Sequence, residues 1–309
     1  MRRSIFYHAD DSPTKRITDH DEALATSLAL QPPTWAASAS ATDTIAHVTK
    51  NKKAGKGSEV SNKRALAYND VGLGNPFRNF CPGCSSAYNW ASSSENLSTG
   101  LSFVPMLWSD WTDFTDYWDI NVAKAISNGC KATLSFNEPD KEDQANMTPG
   151  EAAMSHVHHL NPYSGNVMVG VPSVSNSIEG GQGLFWLAAF FRACSQQGQN
   201  CAVDFCPVHW YSWDVKYREQ WSADLLLHLE KAYKVCGRRP IWLTAFAVTG
   251  SEKIFQSFVQ ETVPELEELG YLDAYLYFKV AVGSLMSSER FLSSYGQVHA
   301  SLDQASTAT

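Results

Sequence analysis

Apolar residues along this chain fall into short runs, each followed by polar or aromatic positions and then, in most cases, by a stretch whose apolar residues recur at three and four. Eight runs stand out: RALAYN (64–69), SAYNW (86–90), SFVPMLW (102–108), ATLSFN (132–137), NVMVGVPSV (166–174), VDFCPVHW (203–210), RPIWLTAF (239–246) and DAYLYF (273–278). Segments such as DYWDINVAKAISNG, GLFWLAAFFRACSQQ, QWSADLLLHLEKAYKV and KIFQSFVQETVPELEELG lie between them and carry the helical period. Buried strands alternating with covering helices predict an α/β domain built on a parallel sheet. Eight such units in about 240 residues favour closure into one (β/α)8 TIM barrel over an open doubly wound sheet, whose phosphate-binding glycine motifs follow none of the strands.

Residues 1–62 break this texture. They are rich in Ala, Ser, Thr, Asp and Lys, include the basic run KNKKAGKGSEVSN, and are expected to form a leader or extension. The barrel is then expected over 63–299, with 300–309 as a tail. Lys63-Arg64 reads equally as a dibasic processing site or as the charged flank of the first strand. The opening MRRSIFYHADDSP has no apolar core after its arginines, so no secretory signal is expected in the chain as written, and no apolar run reaches 18 residues.

Charge narrows the partners. The 309 residues carry a formal net charge of −8, but residues 1–64 hold 10 Lys/Arg against 7 Asp/Glu, which leaves 14 against 25 for the remainder. Such an acidic body repels nucleic acid, whose binding rests on neutralised phosphates, and suits a neutral or cationic ligand. The 7 cysteines form no repeated zinc spacing, and the lone C-x-x-C, Cys81 to Cys84, lacks a second ligand pair, so no metal and no cofactor is expected. A disulfide between Cys194 and Cys201 would close the polar loop SQQGQN, and N-x-S/T acceptors stand at Asn96 and Asn146; both point to an oxidising compartment.

In a barrel of this type the chemistry gathers at the carboxyl ends of the strands. There LSFNEPD presents Asn137 and Glu138 directly after an apolar run, although Asn, Pro and Asp are also ordinary turn formers. Glu138 is the candidate general acid, since a carboxyl group shielded at a barrel mouth is able to protonate a leaving oxygen. Asn137 is placed to hold a sugar hydroxyl. Other tips end in aromatics and amides: Asn69; Tyr88, Asn89 and Trp90; Trp108; His209, Trp210 and Tyr211. Ring faces of this kind stack on pyranose rings while their polar edges bind hydroxyls, which predicts a glycan cleft. With no Ser or Cys nucleophile signature, His209 is expected to contact substrate or orient a carboxylate.

The motifs LAYND, AYNW, FVPMLW, FNEPD, VDFCPVHWY and RPIWLT-x-FA, in this order from about Lys63 to Gly296, resemble those of glycoside hydrolase family 128, the fungal endo-β-1,3-glucanases. The resemblance implies a retaining hydrolase, endo- or exo-acting, extracellular or in the cell wall and expected to be monomeric, that binds β-1,3-glucan or laminarioligosaccharides. It makes Glu138 the acid/base. The family's strand-seven motif reads W-L-T-E-F, and here it reads Trp242-Leu243-Thr244-Ala245-Phe246, so Ala245 occupies the nucleophile position and the carboxylate is missing. A retaining reaction needs that second carboxylate to attack the anomeric carbon, and a methyl group cannot. Asp214 and Asp110, on expected top-face loops, are the candidate substitutes for an inverting reaction. Three readings follow: a β-1,3-glucanase whose nucleophile was deliberately replaced, a natural glucan-binding pseudoenzyme, and a barrel without sugar affinity. The first two predict glucan binding with little or no turnover.

Overall fold

The computed structural model describes residues 63–98, 100–196 and 200–301. The expected leader, 1–62, lies outside them, as do residues 302–309 of the expected tail.

All eight apolar runs contain a strand: β1 Ala65–Ala67, β2 Ser86–Tyr88, β3 Ser102–Phe103, β4 Ala132–Thr133, β5 Met168–Val169, β6 Cys206–Ser212, β7 Ile241–Val248 and β8 Leu272–Tyr277. Helices separate most of them: α1 Val71–Phe80, α2 Thr112–Thr115, α3 Trp118–Ser127, α4 Pro149–His159, α5 Gly183–Gln196, α6 Trp221–Val235 and α7 Glu252–Glu268. A small hairpin, β9 Met286–Ser288 with β10 Phe291–Leu292, and α8 Ser294–Ser301 follow β8. The strands pair in parallel as β1-β2-β3, β4-β5 and β6-β7-β8. Between these sheets run single parallel pairs: Met106 with Leu134, Gly170 with Phe205, Val174 with Val208, and Arg64 with Tyr275. The result is an α/β domain.

Local chemistry explains the elements. Thr148 and Glu151 form a capping box at the start of α4, with Pro149 at its first position, where a missing N–H costs nothing. Asp70 caps α1 by accepting from the Gly72 N–H at 2.7 Å. At Gly170, just past β5, a Cβ would stand 2.7 Å from the ring of Phe205, just before β6, so any larger residue there would force the ring to shift. The outward side chains of β6 and β7 meet the helices: Trp210 stacks on Phe258 of α7 at 5.9 Å, and Phe246 meets the same ring edge-on at 6.3 Å.

Of the two readings of Lys63-Arg64, the geometry fits the strand flank. The Lys63 ammonium donates to the carbonyls of Glu267 and Leu269 at 2.7 and 2.8 Å. Arg64 is fully buried, with Nε on the Tyr275 hydroxyl at 2.9 Å and Nη2 on Glu267 at 3.4 Å. Three disulfides form, Cys81–Cys84, Cys194–Cys201 and Cys206–Cys236, leaving Cys130 as a buried thiol. The second closes the SQQGQN loop as expected. Among the described residues no helix is long and apolar enough to cross a membrane.

Candidate active site

β6 and β7 set the geometry of the site. Successive residues of a strand face opposite sides of the sheet. Since Trp210 and Phe246 face the helices, His209 and Ala245 face the other way, and in the register of the two strands His209 and Ala245 are direct partners. Neighbouring parallel strands lie about 4.8 Å apart. The register slips by one residue between Val208 and His209, so Thr244 is the extra residue of a bulge. Bulges of this kind re-aim the next side chain, here Ala245. The bulge is braced from β2, because the Tyr88 hydroxyl donates to the Thr244 carbonyl at 2.7 Å.

Glu138 reaches this group from the end of the fourth run. Its Oε1 lies 2.7 Å from His209 Nδ1, and 9% of its side chain stays exposed, enough for a ligand oxygen to approach. His209 is fully buried, and its other ring nitrogen, Nε2, has no hydrogen-bond partner among the described residues. The Glu138 backbone sits at φ +39°, a left-handed conformation that costs a non-glycine residue of order 1–3 kcal/mol. Backbone bonds hold it there: Glu138 N–H donates to Ser173 O at 2.7 Å, and Asn137 N–H to Trp108 O at 2.9 Å. The Asn137 side chain donates to Gln144 Oε1 at 3.0 Å.

Around this pair runs a chain of rings. His209, Tyr211 and Trp213 alternate along one face, and Trp213 lies nearly parallel to Tyr211 at 5.4 Å while 46% exposed. Tyr211 meets Phe278 edge-on, Phe278 meets Trp90, and Trp90 meets Tyr88 at 4.6 Å. After β3, Trp108, Phe114 and Trp111 pack against one another, the last 51% exposed. Asn69, with its amide oriented to accept, takes the Lys279 ammonium at 2.7 Å. Burial beside the Phe278 ring pulls the Lys279 amine below its usual range.

Three of the expected sugar contacts have their rings or polar edges engaged within the protein. The Trp210 ring is sandwiched between sheet and helix, on the face opposite His209. Tyr88 is 1% exposed, with its hydroxyl spent on the Thr244 carbonyl. Asn89 closes a local turn, donating to Ser93 O and accepting from Ala91 N–H. Neither substitute carboxylate makes a hydrogen bond or ion pair to Glu138 or His209 among the described residues. Asp214 caps a short helical turn and pairs with Lys216 at 2.7 Å, whose hydrogen bond holds the acid below its usual range; Asp110 is exposed. Residues that sequence reasoning passed over are Gln144, Trp111, Trp213, Phe278, Lys279 and Asp140. Of these, Trp111 and Trp213 were legible as aromatics three positions beyond the ends of the third and sixth apolar runs.

Residues 65–304 match the family model described as glycosyl hydrolase catalytic core. Among solved structures, the chain is similar to a curdlan-specific exo-β-1,3-glucanase of glycoside hydrolase family 128, subgroup III, from Blastomyces gilchristii, solved with glucose. Identity is 30% and the TM-score 0.69, over 77% of this chain and 97% of that one. A subgroup I endo-β-1,3-glucanase from Amycolatopsis mediterranei, solved with laminaritriose, is 25% identical with a TM-score of 0.65, over 78% of this chain and 99% of that one. A subgroup IV endo-β-1,3-glucanase from Lentinula edodes, 23% identical with a TM-score of 0.64 over 77% and 99%, shares the fold. No curated protein matches the chain. Matched through 65–304 and along almost the full length of these enzymes, the chain belongs to the glycosyl hydrolase catalytic core and, within it, to glycoside hydrolase family 128.

Proposed function

We propose that this protein binds β-1,3-glucan in a cleft at the carboxyl ends of the strands of a closed (β/α)8 barrel, and that it turns the glucan over little or not at all while residue 245 is alanine. Closure is supported by the single parallel pairs: Met106 with Leu134 joins the third strand to the fourth, Gly170 with Phe205 the fifth to the sixth, and Arg64 with Tyr275 the eighth to the first. The observation that carries the site is the sequence of contacts Glu138 to His209 to Ala245, a 2.7 Å bond followed by a register pair.

In this reading Glu138 is the proton donor to the glycosidic oxygen and His209 fixes its rotamer. A retaining reaction places the two carboxyls about 5–5.5 Å apart across the scissile bond. The side chain at 245 is on the face that would meet that need, and a methyl group offers neither an attacking oxygen nor negative charge for the oxocarbenium-like transition state. The rings remain: Trp90, Trp108, Tyr211, Trp111 and Trp213 would stack on sugar faces, and Asn69, Asn137 and Lys279 would bind hydroxyls. Binding therefore outlives catalysis. Three disulfides and the exposed acceptors Asn96 and Asn146 support residence outside the cell. A monomer needs no second chain to complete this site.

The deciding experiment is Ala245→Glu, assayed on laminarin with the anomer of the first product followed by NMR. Hydrolysis with retention is expected. A variant that folds, binds laminarioligosaccharides by calorimetry and still cleaves nothing would favour the second reading, a glucan-binding pseudoenzyme whose catalytic geometry has drifted. A flat titration of the chain as it stands against laminarioligosaccharides of every length would remove both.

A further inference from the structure

Two residues beyond Glu138 lies a second acid, Asp140, that the reaction does not use. It is 8% exposed, and among the described residues no lysine or arginine is paired with it; both its oxygens are taken by neutral donors of another loop. Oδ1 accepts from the Ser175 N–H at 3.1 Å, while Oδ2 accepts from the Ser175 hydroxyl at 2.5 Å and from the Gly183 N–H, the first residue of α5, at 2.9 Å. The receiving loop is shaped for it. Gly183 has φ +54°, and a Cβ there would stand 2.1 Å from Ser177 O, so the N–H that meets Asp140 is available only on a glycine backbone.

We infer that Asp140 is the positioning residue for Glu138: its carboxylate clamps the Asn137–Asp140 turn to the Ser175–Gly183 loop and so holds Glu138 in the left-handed conformation that brings it against His209. The inference rests on the reading of Glu138 as the proton donor. Its mechanism is mechanical. Pro139 fixes one torsion between the two acids, Glu138 N–H is held by Ser173 O two residues before Ser175, and Pro139 O accepts from Met147 N–H. Asp140 supplies the side-chain tie to the neighbouring loop. With that tie cut, the turn relaxes toward negative φ at Glu138 and the 2.7 Å contact to His209 opens.

The test uses Asp140→Ala, Asp140→Asn and, as a variant that loses a single hydroxyl donor, Ser175→Ala, each made in the chain as it stands and in the Ala245→Glu background. In the active background kcat is expected to fall about 10- to 100-fold in Asp140→Ala and less in Ser175→Ala, with KM within about twofold, because a misplaced acid costs rate and not ground-state binding. In the chain as it stands, the ¹⁵N shift of His209 Nδ1 is expected to move toward its value in Glu138→Gln. A purely structural role would lower the melting temperature and move neither readout; unchanged kcat and an unchanged His209 signal in a folded variant overturn the proposal. Should Asp140→Ala fail to fold, Asp140→Asn and Ser175→Ala decide by the same two readouts. If Ala245→Glu alone is inactive, the proposed function falls, while the His209 signal still decides the role of Asp140.

Discussion

At position 245 the difference between glutamate and alanine is one carboxylate on a face shared with His209 and, through it, with Glu138. Loss of a nucleophile in an acting unit costs on the order of 10⁶ in turnover, so Ala245→Glu is expected to raise laminarin hydrolysis by several orders of magnitude over the present chain. In that background Glu138→Gln is expected to lower kcat about 10²- to 10⁴-fold on substrates with poor leaving groups, measured by steady-state kinetics. Formate or azide added to the chain as it stands should restore cleavage of an aryl β-1,3-glucoside by filling the space above the methyl; no rescue at any concentration would contradict the position given to residue 245. Single residues were legible in the sequence where chain order carried the information. Glu138 followed an apolar run, and the family motif exposed the alanine. The bond from Glu138 to His209 joins residues 71 apart in the chain, and sequence gave no distance for it.

The elements were read correctly where period and breakers agreed. All eight strand runs and the four named helical segments appear, since buried strands and long amphipathic helices announce themselves by spacing. Helix α1 was passed over: VGLGNPFRNF contains two glycines and a proline, which normally argue against a helix, and the Asp70 cap and packing of Phe77 override them. Direction was the other loss. An apolar run tells which residues are buried but not on which side, so Trp210 and Tyr88 were expected in the cleft and lie behind the sheet or beneath it. Elements also carry their own tests. Thr148→Ala removes the capping box of α4 and is expected to destabilise the fold by about 1 kcal/mol in urea denaturation. Replacing Cys206 and Cys236 together by alanine opens a link of 30 residues between β6 and the end of α6, with an expected loss of about 2–4 kcal/mol.

For the molecule as a whole, acidity is expected to weaken the fold. Burial holds His156 down to about 4 and His299 down to about 3, so both are neutral in the folded chain at pH values where the unfolded chain has them protonated. The unfolded state then binds more protons than the native one. Their contribution to stability is complete above about pH 6.5, declines as the pH falls below it, and is lost through about 4 and 3. Melting temperatures recorded from pH 7.5 to 4 should hold level down to about 6.5 and fall below it; His156→Gln, which keeps a polar contact to Ser135 without titrating, should flatten part of that slope. At the same scale, the Glu138–His209 bond and the register of β6 on β7 bring the ends of the fourth and seventh runs, more than a hundred residues apart in sequence, together. A crystal of the chain as it stands, soaked with a β-1,3-linked laminarioligosaccharide, tests that convergence. A glycosidic oxygen within hydrogen-bond reach of the Glu138 carboxyl, with the anomeric carbon facing the Ala245 methyl, is the expected result. An oligosaccharide bound elsewhere, or a Glu138 carboxyl and Ala245 methyl separated by more than about 10 Å where roughly half that is required, would contradict it.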